Sequence, residues 1–386
     1  MTPEAAVPRP AARAPAAAAI ALAALSVLLA WAFLRAESQA AVGWIAAACA
    51  VGVLAAARLG ALGWAGRGAL ANERATGLAL TAALVLLVAA FHEDHFTLLL
   101  IARVLLVGMA CLGLHVQFGM TGVVNFAGAA FFGVGAYTAT VLASHTPLPH
   151  VLALAAGGAA AALVGSVLLL PLLRTRGHYA ALVTIAFGIL FRTFLEVNDA
   201  LGGPQGLNVP GFSFLGFGFN EGWSLGGLEV SFYVAYAALA FLLLGGAFAV
   251  VRRLETSWVG LALDAVRLDE TAAAAFGVRV PRWKIGAFTL GNFIIGVAGA
   301  LSAMMTGYIA PNAFTFQESL VYVSIVLLGG IGNAWGLVLA AFLVVVVPEK
   351  LQSIQEYRFL LFSTLVILVL VFRPSGLLGE RVGDRA

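Results

Sequence analysis

The feature that most constrains this chain is a succession of apolar runs, each close to the roughly 20 residues a helix needs to cross a bilayer. They cover Ala16 to Leu34, Ala41 to Ala57, Ala75 to Phe91, Phe96 to Phe118, Val123 to Ala143, Val151 to Leu173 and Tyr179 to Val197, and the pattern resumes as far as Phe359 to Phe372. Inside lipid every backbone N–H and C=O needs an internal partner, so such runs fold as helices. The expectation is an all-α polytopic membrane helix bundle of about 11–12 membrane segments, some short or glycine-interrupted. Hydrophobic residues make up 62% of the chain and charged residues 10%, which excludes a soluble globular domain.

The net charge of +3 needs no nucleic acid to explain it, because the basic residues collect at the ends of apolar runs. Cys49 and Cys111 both lie within such runs, so neither a disulfide framework nor a metal knuckle can be built from them. No cofactor is expected. No GxxxxGK[ST] sequence occurs, so any ATP used must be bound by a partner.

Charge also orients the chain. Arg58, Arg67 and Arg74 mark one connection and Arg174 and Arg176 another, whereas His92 to His95 and the long segment Asn198 to Glu229 contain no Lys or Arg. By the positive-inside rule the first group is cytoplasmic and the second external. Ala16 to Leu34 reads as a first span rather than a signal peptide, since it exceeds the usual h-region and Arg35 to Ser38 offer no small-residue cleavage site. Counting from a cytoplasmic N-terminus, Arg373, Arg381 and Arg385 suit a cytoplasmic tail only if Glu318 to Val347 is two segments. The cluster Gly329-Gly330-Ile331-Gly332-Asn333 is where a helix would break, although glycines there also suit close helix packing. The division expected is an extension over 1–95, a core over 96–379 and a tail over 380–386.

Ser257 to Phe288 is the one long polar interval, and its basic residues place it in the cytoplasm. Trp258 to Arg267 carries Val259, Leu263 and Val266 at helical spacing. Asp269 is placed to cap a second helix with Glu270 in its first turn, and Gly277 is its natural stop. A short, capped, small-sided helix pair suits a groove on another protein.

Polar groups within spans are few. Arg103 lies inside an apolar run, and intramembrane charge marks either function or an arginine that faces the bundle interior or snorkels outward. Arg192 and Glu196 are spaced to pair on one helical face, and His115 reads as a hydrogen-bonded core histidine. His92 and His95 flank Glu93 and Asp94, a spacing too unspecific to define a metal site. Asn125, Phe126, Asn292, Glu318, Ser319 and Tyr322 are the candidates for lining a translocation pathway.

Four stretches together resemble the LivM-type permeases, membrane subunits of ABC importers for branched-chain amino acids: Thr121 to Ala139; Gly177 to Gly188 with Leu201 to Leu207; the central interval; and Leu327 to Gly336 with Phe372 to Gly379. The resemblance implies a cytoplasmic coupling loop over 257–282, with Gly260, Arg267, Glu270, Ala272, Ala273 and Gly277 at ATPase-coupling positions. It also implies a multi-pass inner-membrane protein working with a homologous LivH-like permease subunit, two cytoplasmic ATPase subunits and an external solute-binding protein. Departures bear on solute and coupling: Asn125 to Gly128 stand where the family commonly has Ser-x-Gly-His, Val321 where a carboxylate is frequent, and Leu261 and Asp264 where arginine is. Urea permeases share much of this pattern. A secondary transporter is the rival class, but the ionisable groups that ion coupling needs are sparse.

Overall fold

The computed structural model describes residues 30–36 and 73–350, less 174–177, 215, 221–222, 226–227 and 331–333, with a few isolated positions beyond. Most of the expected first span, the Ala41 to Ala57 and Phe359 to Phe372 spans, the Arg174 and Arg176 connection and the tail lie outside the described residues.

Within the described residues the apolar runs are helical, save the start of Val123 to Ala143. Helix α1 (Glu73–Ala90) is followed by a turn in which Asp94 caps α2 (His95–Leu114), and α2 continues without a break into a π-helical turn, His115–Gly119. Then come α3 (Gly128–His145), α4 (His150–Leu172) and α5 (His178–Val197). The segment from Asn198 to Val230 has little helix. Its short strands are β1 (Leu207–Asn208), β2 (Ser213–Phe214), β3 (Phe217–Gly218), β4 (Trp223–Leu225) and β5 (Leu228–Val230).

Helix α6 (Tyr233–Glu255) leads to the central interval, which forms α7 (Trp258–Leu268) and α8 (Glu270–Ala275). The long α9 (Val280–Thr306) follows, then β6 (Tyr308–Ile309), α10 (Phe316–Gly329) and α11 (Ala334–Lys350). Strand β6 pairs antiparallel with β1, Leu207 opposite Ile309, while β2–β3 and β4–β5 are separate hairpins. Among the described residues five helices are long and apolar enough to cross a membrane: α2 with its π turn, α4, α5, α6 and α9.

Helix α9 is the centre of the bundle, packed against α2, α3 and α4. Glycine makes that approach possible. A Cβ on Gly113 of α2 would stand 2.5 Å from the Gly291 carbonyl oxygen, and one on Gly291 would stand 2.5 Å from that of Gly113. Lipid tails are as apolar as leucine, so close backbone contact of this kind replaces the hydrophobic driving force between helices.

Two expectations are refined. Val123 to Ala143 is not helical throughout, because α3 begins only at Gly128. Gly122 takes a φ of +72°, and the Asn125 side chain accepts from the Ala127 N–H at 2.8 Å, so local side-chain bonding replaces the helical ladder there. The glycine cluster serves both purposes considered for it. Helix α10 stops at Gly329, with Gly330 at φ +105°, and a Cβ on Gly329 would lie 2.8 Å from the backbone of Gly336 at the start of α11.

The two ends of the bundle are distinct. At the end where α2 starts, the Ser231 N–H donates to the His92 carbonyl, and Lys350 Nζ lies 5.8 Å from the Phe96 ring centroid. The opposite end holds the π turn with α7 and α8.

Candidate functional site

The α7–α8 loop is ordered by its own sequence. Ser257 Oγ accepts from the Val259 N–H at 3.2 Å, and Asp269 Oδ1 accepts from the N–H groups of Thr271 and Ala272 at 2.8 and 3.0 Å. These caps satisfy the orphan donors of each helix start. Helix α8 ends in a Schellman arrangement: Gly277, at φ +83°, donates to the Ala274 carbonyl, and Val278 donates to that of Ala273.

Gly260, Leu263 and Val266 turn inward, as does Ala273, whereas Ala272 is exposed. Gly260 lets α7 sit on the last carbonyls of α6, since a Cβ there would be 2.6 Å from the Leu254 and Glu255 oxygens. Outward the loop presents Trp258, Leu261, Leu268 and Phe276, the last 90% exposed. Large apolar side chains grouped on one polar loop mark an interaction surface. Glu270 does more than favour the start of α8, because its carboxylate accepts from Lys284 Nζ of α9 at 2.6 Å.

The loop is tied to the membrane bundle at the π turn. Arg267 Nη1 donates to the Gly119 carbonyl at 2.9 Å, and Arg267 Nη2 lies 3.3 Å from Asp264 Oδ1. At the other end of the turn, His115 Nε2 bonds Glu255 Oε1 at 3.1 Å, and Glu255 also pairs with Arg252. The His115 ring seats over Gly119, where a Cβ would meet Nδ1 at 2.6 Å.

Between these two ties stands Gln117, fully buried, at the centre of a chain of amides. The Ala127 N–H must meet Asn125 Oδ1, so Asn125 Nδ2 faces Gln117 and donates to its Oε1 at 2.7 Å. Gln117 Nε2 then donates to Asn292 Oδ1 at 2.9 Å and to the Phe288 carbonyl at 3.3 Å. The Ala127 N–H fixes the orientation of Asn125, the Phe288 carbonyl that of Gln117, and Gln117 Nε2 in turn that of Asn292. The chain joins α2, the extended Gly122–Ala127 segment and α9. Asn292 Nδ2 ends it, buried against Gly165 with no hydrogen-bond partner among the described residues.

The start of α3 is capped from other helices. The Ala129 N–H donates to Ser319 Oγ of α10 at 3.0 Å, and the Phe126 N–H to Thr184 Oγ1 of α5 at 3.1 Å. Tyr322 is buried beside it, its ring 6.0 Å from that of Phe132. Glu318 lies in the first turn of α10, where its N–H donates to Thr315 Oγ1 at 3.3 Å. A helix start at depth in the bundle, with its N–H groups met by side chains, is the kind of interrupted backbone that membrane proteins tolerate only inside protein or beside a cavity.

Residues 96–371 match the family described as branched-chain amino acid transport system / permease component. The chain belongs to this permease family. The high-affinity branched-chain amino acid transport system permease protein LivM of Salmonella typhimurium is 35% identical over 281 residues, 69% of this chain and 66% of LivM. LivM of Escherichia coli K12 is 34% identical over the same shares. LivH of Escherichia coli K12, a permease protein of the same kind of system, is 24% identical over 70% of this chain and 91% of LivH. The permease thus spans just under two thirds of the LivM length it matches. No solved structure matches it.

Of the residues singled out in the sequence of the permease, Asn125 and Asn292 meet in one amide chain, and Ser319, Tyr322 and the Phe126 N–H meet at the start of α3. Gln117 and Thr184 were missed. Gln117 is a lone amide in an apolar run, the same signal that marked Asn125 and Asn292. The His115–Glu255 contact joins residues 140 apart and has no local signature. Arg103 faces Glu349 at 3.9 Å, and Arg192 pairs with Glu196 at 2.8 Å as the spacing required. Asp94 is occupied as a helix cap, and among the described residues no cluster of His, Cys, Asp and Glu is arranged to hold a metal ion.

Proposed function

We propose that the permease is the translocation subunit of an ATP-driven importer that moves branched-chain or other hydrophobic amino acids by alternating access. It does no bond chemistry of its own. A homologous LivH-like subunit completes the membrane pathway, an external binding protein delivers the solute, and two cytoplasmic ATPase subunits supply the free energy. Core and extension divide near residue 96, and 257–282 is the coupling loop.

The observation that carries this reading is the α7–α8 loop: capped at both helix starts, apolar on its free surface, and hydrogen-bonded inward to the turn that holds Gln117. A surface that must follow a soluble partner and move a membrane core needs those properties together. The names of the LivM and LivH relatives support the solute class. The basic residues of the loop favour a cytoplasmic position, with the arginine-free Asn198–Glu229 segment outside and both termini in the cytoplasm.

Uptake into vesicles carrying the whole assembly tests the reading. Accumulation of leucine-like solutes is expected to require ATP and binding protein and to survive collapse of ion gradients. Uptake driven by a proton or sodium gradient without ATP would overturn it. Orientation is read separately: cysteine at exposed Ala274 should be labelled only from the cytoplasm, and at exposed Gln205 only from outside.

A further inference from the structure

We infer that the π turn His115–Gly119 is the joint through which the coupling loop acts on the membrane core, with Arg267 and Glu255 as positioning residues for Gln117. The inference rests on the reading of the α7–α8 loop as the ATPase contact and says how a push on that loop reaches the bundle.

The turn is held at both ends by side chains that border the loop. Glu255 closes α6, two residues before the Ser257 cap, and binds His115 Nε2 at 3.1 Å; Arg267, in the last turn of α7, binds the Gly119 carbonyl at 2.9 Å. Displacing α7 therefore pulls on Gly119 through Arg267 and, where Gly260 rests on the last carbonyls of α6, on His115 through Glu255, the two ends of one five-residue turn. Gln117 sits between the ties, and its amide bonds both Asn125 and Asn292 at 2.7 and 2.9 Å, shorter than the direct 3.5 Å approach of Asn125 Nδ2 to Asn292 Oδ1. A shift of the turn moves the extended Gly122–Ala127 segment, and with it the start of α3, relative to α9.

Local chemistry suits a joint rather than a strut. A π turn carries one residue more than the α ladder accommodates and sits within an otherwise α-helical segment as a local defect, a form found at functional sites. His115 stacks on Gly119 inside this turn because a Cβ there would collide with the ring. Two buried nitrogens, His115 Nδ1 and Asn292 Nδ2, have no hydrogen-bond partner among the described residues. Unmet polar atoms in a buried network are costly and leave the network short of its most stable pairing.

The other inward tie of the loop provides the contrast. Glu270 binds Lys284 on α9 directly and bypasses the turn. Amide hydrogen exchange on the purified full chain in nanodiscs should therefore separate the two routes. R267A and E255Q are each expected to speed exchange across residues 115–127 about tenfold or more, since hydrogen bonds to charged groups are among the stronger ones. R267K keeps a donor for Gly119 and should restore part of the protection. E270A should leave residues 115–127 unchanged, and α9 protection in every variant reports that the bundle is folded. In the assembled importer, R267A should lower solute moved per ATP hydrolysed severalfold. Unaltered exchange over 115–127 in both R267A and E255Q, or an equal effect of E270A, would overturn the inference. Exchange is read without ATP or partners, so its outcome is separate from that of the uptake test.

Discussion

Gly135 of α3 lies directly on the backbone of Gly296 in α9: a Cβ on Gly135 would stand 2.1 Å from the Gly296 carbonyl oxygen. No side-chain rotation relieves such a clash, so the helices must separate. Gly135→Ala is expected to destabilise the bundle by roughly 1–3 kcal/mol or more, the cost of overpacking a close contact. Gly245→Ala in α6 has nothing within 4 Å and should be neutral or stabilising by up to about 1 kcal/mol, the helix propensity of alanine over glycine. Thermal unfolding of the two variants in one detergent checks this, and equal melting temperatures would count against the glycine contact.

Gly277 presents the opposite case. Nothing lies within 4 Å of a Cβ built there, yet its φ is +83°, so only backbone conformation opposes substitution. Gly277→Val should cost about 1–2 kcal/mol locally, the penalty for a non-glycine residue in the left-handed region. The Schellman stop of α8 is lost while the spans fold, so membrane levels should stay normal as uptake or ATPase assembly falls. Normal ATP-driven uptake by this variant would remove α8 from the mechanism.

Asn125 holds both the Ala127 N–H and Gln117 Oε1, with Asn292 Oδ1 a longer third contact at 3.5 Å. Asn125→Ala leaves the Ala127 N–H and Gln117 Oε1 without Asn125, at about 1–3 kcal/mol for each buried polar group left unsatisfied. The loss should appear as a lower melting temperature and faster exchange at the start of α3. A double-mutant cycle with Gln117→Ala should show strong non-additivity, because the residues share one network. Purely additive losses would mean the amide chain does not act as a unit.

Asp94 gives a pH signature at the other end of the bundle. Burial works to raise its pKa, but the Thr97 hydroxyl, the N–H groups of Thr97 and Phe96 and the Lys350 charge outweigh it, and the carboxyl is held below its usual range. A depressed folded pKa means the stabilisation is complete above the unfolded value of about 3.9. It is lost as pH falls through the lower folded value. Asp94→Asn retains a capping side chain but has no such proton to gain. The stability difference between wild type and this variant should therefore shrink on acidification from about pH 7 to about pH 3. A difference that stays constant with pH would exclude the carboxylate as its source.

What could be read from the sequence followed from local rules. The caps at Asp269 and Gly277, the break at Gly329 and the spans among the described residues, save the start of Val123 to Ala143, each depend on a handful of adjacent residues and lie where those residues dictate. The Gly122–Ala127 interruption was hidden because five apolar or small residues in six mask one asparagine whose side chain replaces the helical ladder. The ties from Arg267 to Gly119 and from Glu255 to His115 join positions 148 and 140 apart, and only the packing of α6 against α2, with α7 seated on the end of α6, brings them together.

The residues at the heart of this core are amides. Gln117, Asn125 and Asn292 have no proton to exchange in the physiological pH range and carry no net charge in any arrangement they adopt. A membrane voltage performs about 2.3 kcal/mol of work per elementary charge per 100 mV, and on a neutral network it performs none. Rearrangement of the amides alone carries no net charge through that field. The three amides themselves offer a proton gradient no group to titrate, and the turn that carries Gln117 is reached from the loop through Arg267 and Glu255.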